Sequence, residues 1–244
     1  MNGILLVDKP AGWTSQDAAA KLRGLTGERR IGHSGTLDPM ATGLLVMFLG
    51  RATRAVEFAE VHDKEYVAGL RLGLTTDTQD TTGTELRRAE ADISREALEA
   101  VLPAFRGTIW QTPPMYSAVK VGGRRLYEIA RSGGQAEVKP RQVTVTALEI
   151  LSGAGADWTL RVECSKGTYI RALCSDIGAA LGCGGCMSAL RRTRCGMFRV
   201  ESASTMDQLR SAAGTGALEQ LLLPAEDLFA SFPEARVPAG LERK

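Results

Sequence analysis

The chain has almost no net charge: 30 Lys and Arg stand against 28 Asp and Glu in 244 residues, a formal balance of +2. Global charge therefore does not mark it as a polyanion binder, and any nucleic-acid surface has to come from local clustering. It also lacks an apolar run of membrane-spanning length. Its first residues, Met1 to Pro10, place Asp8 and Lys9 directly behind a short apolar stretch, unlike a signal or transit segment, so a soluble, cytoplasmic protein is expected. Histidine is scarce, with only His33 and His62. The five cysteines, at 164, 174, 183, 186 and 195, are odd in number and are expected to stay reduced. Cys183 and Cys186 form a lone C-x-x-C, short of a four-ligand zinc site and outside a thioredoxin-like βαβ setting, so it reads as structural. There is no internal repeat, nucleotide-binding glycine motif or metal-ligand cluster, and neither cofactor nor metal is expected.

What is present fits one large domain, or one domain and a fragment of another. Gly3–Val7, Leu44–Phe48 and Glu65–Leu72 read as strands. Alternation in 143–145 and 158–164 predicts two more, joined as a hairpin across Gly153 and Gly155. Helices are predicted from about Thr14 to Gly24 or Gly27, over 94–102 behind a Ser94 cap, over 168–181 with Gly182 closing, and from Ser204. Strands and helices do not alternate as βαβ crossovers require. The class is therefore α+β, with a mixed, largely antiparallel sheet flanked by helices.

Basic residues concentrate in two places. Lys120, Arg124, Arg125, Arg131, Lys139 and Arg141 fall in a Pro- and Gly-rich stretch from Gln111 to Arg141, which reads as a protruding excursion. Arg191, Arg192 and Arg194 form the second cluster. Either suits phosphates, and either is also compatible with a solvated face.

The densest feature is Gly32-His33-Ser34-Gly35-Thr36-Leu37-Asp38-Pro39-Met40-Ala41-Thr42-Gly43-Leu44-Leu45, a glycine-punctuated loop entering an apolar strand. Pro39 biases Asp38 toward extended backbone, which suits a carboxylate presented to a ligand and equally an Asx-turn. This run resembles the signature loop of the TruB family of pseudouridine synthases. The resemblance continues in order through Asp8-Lys9-Pro10-Ala11-Gly12-Trp13-Thr14-Ser15, Lys64-Glu65-Tyr66, the segment Gln111-Thr112-Pro113-Pro114-Met115-Tyr116-Ser117-Ala118, Ser165 to Arg171, and Leu190-Arg191-Arg192.

The resemblance implies the pseudouridine synthase fold and isomerisation of a uridine, at position 55 in the T-loop of transfer RNA, to pseudouridine. It puts the catalytic carboxylate at Asp38, which would attack C1′, stabilise positive charge as uracil departs, or abstract a sugar proton. Arg171 is implied as the partner that keeps Asp38 ionised, and Tyr66 as the aromatic that stacks on the flipped base and accepts a proton from C5. Tyr169 packs at the same pocket, His33 contacts the target nucleotide, Leu190 lines the uracil pocket, and Lys9 with Pro10 supports the loop. Lys120, Arg124, Arg125 and Arg131 become phosphate contacts to the T-stem loop. Residues 1–228 would form the catalytic domain with its insertion at about 111–141. The tail, 229–244, would enter but not complete the PUA-like module common in relatives. A monomer working without guide RNA is expected. Two rivals, an RNA chaperone and a hydrolytic glycosidase, differ in requiring no catalytic carboxylate and two of them, respectively.

Overall fold

The structure, a computed structural model, describes residues 1–60 and 62–230. In chain order its elements begin with β1 (Gly3–Lys9), α1 (Ser15–Thr26), β2 (Ile31–Ser34), β3 (Thr42–Leu49), α2 (Val56–Glu60), β4 (Lys64–Leu72), β5 (Leu74–Thr76) and β6 (Glu85–Arg88). There follow α3 (Arg95–Val101), β7 (Gly107–Gln111), β8 (Lys120–Val121), β9 (Arg124–Arg125), α4 (Leu126–Arg131), β10 (Arg141–Ala154) and β11 (Asp157–Cys164). The last are α5 (Ile170–Ala180), β12 (Gly185–Cys195), β13 (Phe198–Arg199), β14 (Ser204–Thr205) and α6 (Met206–Thr215). Residues 231–244, which hold most of the expected tail, lie outside the described residues.

Local chemistry explains the helix ends. Thr14 accepts from the Asp17 amide and the Asp17 carboxylate accepts from the Thr14 amide, a reciprocal cap that starts α1; Gly27, at φ 68°, ends it. Three expectations are corrected. The start of the glycine-punctuated run, read as loop, forms β2 because Ile31–Ser34 finds the free edge of β3. Thr205 rather than Ser204 caps α6, reciprocally with Gln208. Helix α5 starts at Ile170, with Tyr169 as its N-cap.

One ten-stranded sheet runs in the order β14-β1-β3-β12-β4-β11-β10-β7, with β2 added to β3 and β13 to β12. Among the described residues only the strand pairs β1–β14 and β3–β12 are parallel, so the α+β class with a mixed, largely antiparallel sheet holds. Strand β3 is buried on both faces: Leu45, Met47 and Leu49 join the core under α1, α5 and α6, while Leu44, Val46 and Phe48 pack with Ala52, Ala55, Ala59 and Phe198. Its outer edge is shared. Strand β2 pairs with residues 46–49 and β12 with residues 42–43, so the 35–41 loop emerges at the fork between them.

Gly43 makes that fork possible. At φ 96° it lets the Arg192 backbone approach so closely that a Cβ would lie 2.3 Å from the Arg192 carbonyl oxygen. Gly43→Ala is expected to destabilise the fold by about 2–3 kcal/mol in urea unfolding, through overpacking together with a disfavoured φ. A loss below about 0.5 kcal/mol, the range of ordinary surface changes, would show that the fork relaxes freely.

At the opposite end of the sheet β7 and β10 pair as far as Gln111 opposite Arg141. Residues 112–140 therefore leave and re-enter at one point. They carry the β8–β9 hairpin, turned by Gly122 and Gly123 at φ 58° and 83°, and the short helix α4.

Candidate active site

The 35–41 loop is held along its length. Arg192 Nη2 donates to the Gly35 carbonyl at 3.0 Å, and Ser15 Oγ accepts from the Leu37 amide at 2.9 Å. The Gly12 amide donates to the Pro39 carbonyl at 2.8 Å, and the Ala41 amide donates to the Asp38 carbonyl at 3.0 Å. Lys9, fully buried, directs its ammonium at the carbonyls of Pro10 (2.9 Å), Trp13 (2.6 Å) and Pro39 (3.4 Å). Burial lowers its pKa to about 8, with the Asp38 charge opposing. Through Pro39, Lys9 joins the 35–41 loop to the end of β1.

Asp38 faces Arg171 from this loop. Arg171 Nε lies 2.9 Å from Asp38 Oδ2, and Nη2 donates to Oδ1 at 3.3 Å. The guanidinium also donates to the carbonyls of Tyr116 (2.8 Å) and Thr78 (3.2 Å) and lies 4.0 Å from the Asp80 carboxylate. The arginine side chain is 7% exposed, whereas that of Asp38 is 34% exposed. The pair therefore presents its carboxylate and hides its cation. Burial raises the pKa of Asp38, Arg171 opposes that rise, and Asp80 adds to it.

Asp80 was not singled out from sequence. It closes a threonine-rich turn after β5: its Oδ1 accepts from Thr78 Oγ1 at 2.8 Å, the Thr82 amide at 2.9 Å and Thr82 Oγ1 at 2.6 Å. The available signal was the turn-forming run Asp77-Thr78-Gln79-Asp80-Thr81-Thr82-Gly83, whose proximity to Arg171 is a tertiary fact.

Tyr66 on β4 stands opposite Arg192 on β12 and is buried, which pushes its phenol up to about 12 against the opposing charge of Arg192. Leu190, two residues before Arg192, is buried opposite Ala68. His33 lies on β2, with Nε2 3.4 Å from Gln16 Nε2; burial lowers its pKa, and Nδ1 is buried without a hydrogen-bond partner among the described residues. Gln111 clasps Tyr169, accepting from its amide at 3.0 Å and donating to its carbonyl at 3.3 Å, and Tyr169 sets Arg171 into the first turn of α5.

Comparison with known proteins decides the family. Residues 23–170 match the TruB family pseudouridylate synthase N-terminal domain, and residues 171–230 match the tRNA pseudouridylate synthase B C-terminal domain. The chain belongs to the TruB family. It is 47% identical to the tRNA pseudouridine synthase B of Thermobifida fusca, across 100% of this chain and 84% of that protein. It is 47% identical to the protein of that name from Azoarcus, across 97% of this chain and 79% of the other. Among solved structures, the Cbf5-Nop10-Gar1 complex contains a chain of 32% identity with a TM-score of 0.74, matching 93% of this chain. A structure of an H/ACA RNP bound to a substrate RNA containing 2′-deoxyuridine follows at 30% and 0.71, over 93% of this chain. This chain spans 61% and 60% of those two solved chains. The pseudouridine synthase fold is thereby established.

Other parts of this TruB-family chain stand apart from the Asp38 cluster. Lys120, Arg124, Arg125 and Arg131 are carried on the 112–140 excursion; Lys120, Arg124 and Arg125 are exposed, and Arg125 and Arg131 lie over the Tyr127 ring at 5.8 and 5.5 Å. The second basic cluster is largely engaged within the protein. Arg191 is paired with Asp8 at 2.7 Å, Arg194 faces Glu163 at 3.5 Å, and Arg192 is 1% exposed. All five cysteines are buried free thiols, and Cys183 directs its sulfur toward the Gly184 carbonyl at 3.4 Å.

Proposed function

We propose that this TruB-family chain isomerises one uridine of a transfer RNA T-loop, position 55, to pseudouridine, with Asp38 as the catalytic carboxylate. The carrying observation is that carboxylate, presented from a braced loop and gripped by an almost buried arginine. Isomerisation breaks the N1–C1′ bond, turns the uracil and rejoins it through C5, so no atom is gained or lost. Nucleophilic attack, charge stabilisation and sugar deprotonation all require the ionised form of Asp38, and Arg171 favours that form against burial. Tyr66 supplies an aromatic surface and a phenol for a base turned out of its stack. His33, Tyr169 and Leu190 border that base.

A hydrolytic glycosidase would need a second carboxylate presented to the scissile bond. Asp80 is a second carboxylate nearby, yet it is 5% exposed and occupied by Thr78 and Thr82. The arrangement therefore favours isomerisation. In this reading residues 1–228 act as one catalytic domain. The insertion at about 111–141 places Lys120, Arg124, Arg125 and Arg131 against phosphates of the T-stem loop. The enzyme works as a cytoplasmic monomer without guide RNA.

The test uses a transfer RNA transcript tritiated at C5 of its uridines. Release of one tritium per transcript, with pseudouridine mapped to the T-loop, is the expected result. Binding without release would replace the reading with an RNA chaperone, and free uracil with a hydrolase.

A further inference from the structure

Arg192 is the largest of the fully buried side chains, and among the described residues no carboxylate pairs with it. A guanidinium withdrawn from water normally requires an anionic partner. Its bonds go to neutral groups: Nε donates to the Leu44 carbonyl at 2.7 Å, Nη2 to the Gly35 carbonyl at 3.0 Å, and the guanidinium hydrogen-bonds the Tyr66 phenol. Its remaining surroundings do not supply the missing charge. Lys9, His33 and Lys64 each feel it as a repulsive neighbour. Across the β4–β12 ladder its register partner is Tyr66. The guanidinium favours the ionised phenol, while burial and the neighbouring thiols of Cys164 and Cys195 favour the neutral one.

We infer that Arg192 is a positioning residue for Tyr66, its unneutralised charge holding the tyrosinate that forms transiently during the reaction. The inference rests on the role proposed above for Tyr66. As the glycosidic bond breaks, the electron pair leaves with uracil N1, and the phenolic proton passes to that nitrogen. After C5 has bonded to C1′, the C5 proton moves to the tyrosinate and restores the phenol. Protons balance over the cycle, and negative charge resides on Tyr66 only between the two transfers. A fixed cation aimed at charge that exists only then stabilises the intermediate without binding the resting substrate. The same side chain ties Gly35 and Leu44, so phenol and Asp38 loop share one rigid mount.

A purely structural brace and a charge partner can be separated. Arg192→Met in the full chain is expected to lower kcat by about 100-fold, the scale seen when one preorganised donor is removed, with KM changed by less than about threefold. Site-specific replacement of Tyr66 by difluorotyrosine, whose phenol ionises more readily, should then recover about tenfold in the Arg192→Met background and little in the unsubstituted enzyme. No recovery in a variant whose thermal melt matches the parent would overturn the inference. If Arg192→Met does not fold, the comparison moves to Arg192→Lys. The lysine keeps the charge but not the fork, so the fluorinated tyrosine should add little there, as in the unsubstituted enzyme, and a tenfold acceleration would overturn the inference. Tyr66→Phe distinguishes the two layers: full activity removes the proposed role of Tyr66 itself, whereas inactivity beside an unaffected Arg192→Met removes only the role of Arg192.

Discussion

Asp38→Asn abolishes tritium release, by about 10⁴-fold or more, while transfer RNA binding changes by less than about threefold: that is the expected outcome of a substitution that keeps shape and removes charge. The amide still accepts one bond from Arg171 but cannot attack, stabilise positive charge or take a proton. Residual activity within tenfold of the parent would exclude Asp38 from the chemistry. The same carboxylate sets the acid limb of the parent enzyme. Its pKa is raised from 3.8, chiefly by burial, so kcat/KM should fall with decreasing pH at a point above 3.8. The stability sign runs the other way. The folded state holds this proton more tightly than the unfolded chain, so ionising Asp38 costs stability as pH rises from 3.8 through the folded value. Asp38→Asn should therefore melt no lower than the parent at neutral pH, losing activity without losing the fold.

Arg171→Met should lose both. Removing the guanidinium takes the shared cation from Asp38 and Asp80 and the donor from the Thr78 and Tyr116 carbonyls. Breaking a buried pair by deleting one partner costs about 3 kcal/mol or more, readable by urea unfolding. The rate is expected to fall by about 10²–10³-fold, and the acid limb of kcat/KM to move to higher pH because the influence opposing burial is gone. Arg171→Lys should not restore the rate, since one ammonium cannot span two carboxylates and two carbonyls in a planar fork. A lysine variant with parental kcat would reduce Arg171 to a generic counter-charge.

Much of this was legible in the residues. Helix α1 announces itself through Thr14, Asp17 and Gly27, and the β10–β11 hairpin through alternation on either side of Gly153 and Gly155, because caps and turns are local chemistry. The glycine-rich frame of Asp38 marked the loop but fitted an Asx-turn as well, and only the resemblance to the TruB signature loop singled out its carboxylate. Arg192 and Asp80 did not stand out, since an arginine beside two others reads as surface and an aspartate among threonines reads as a turn. Their positions are decided by residues far along the chain: Arg192 contacts Gly35 and Leu44, and Asp80 faces Arg171. Strand β2 escaped for the same reason, since Ile31–Ser34 is a strand only because β3 offers it an edge.

The place of β12 in the sheet has a consequence for the order of assembly. Strands β3 and β4 follow one another in the chain, yet β12 lies between them. As the chain leaves the ribosome, β3 already has β1 on one edge and β2 on part of the other, but the edge of β4 that β12 later covers waits unpaired until Gly185–Cys195 is made, open to wrong partners. A nascent chain ending before Gly185 already contains Asp38, but has neither the strand that fills the gap nor the Arg192 that fastens the loop. The 35–41 loop therefore gains its last fastening, from Arg192 to Gly35, only when the strand that closes the sheet is made.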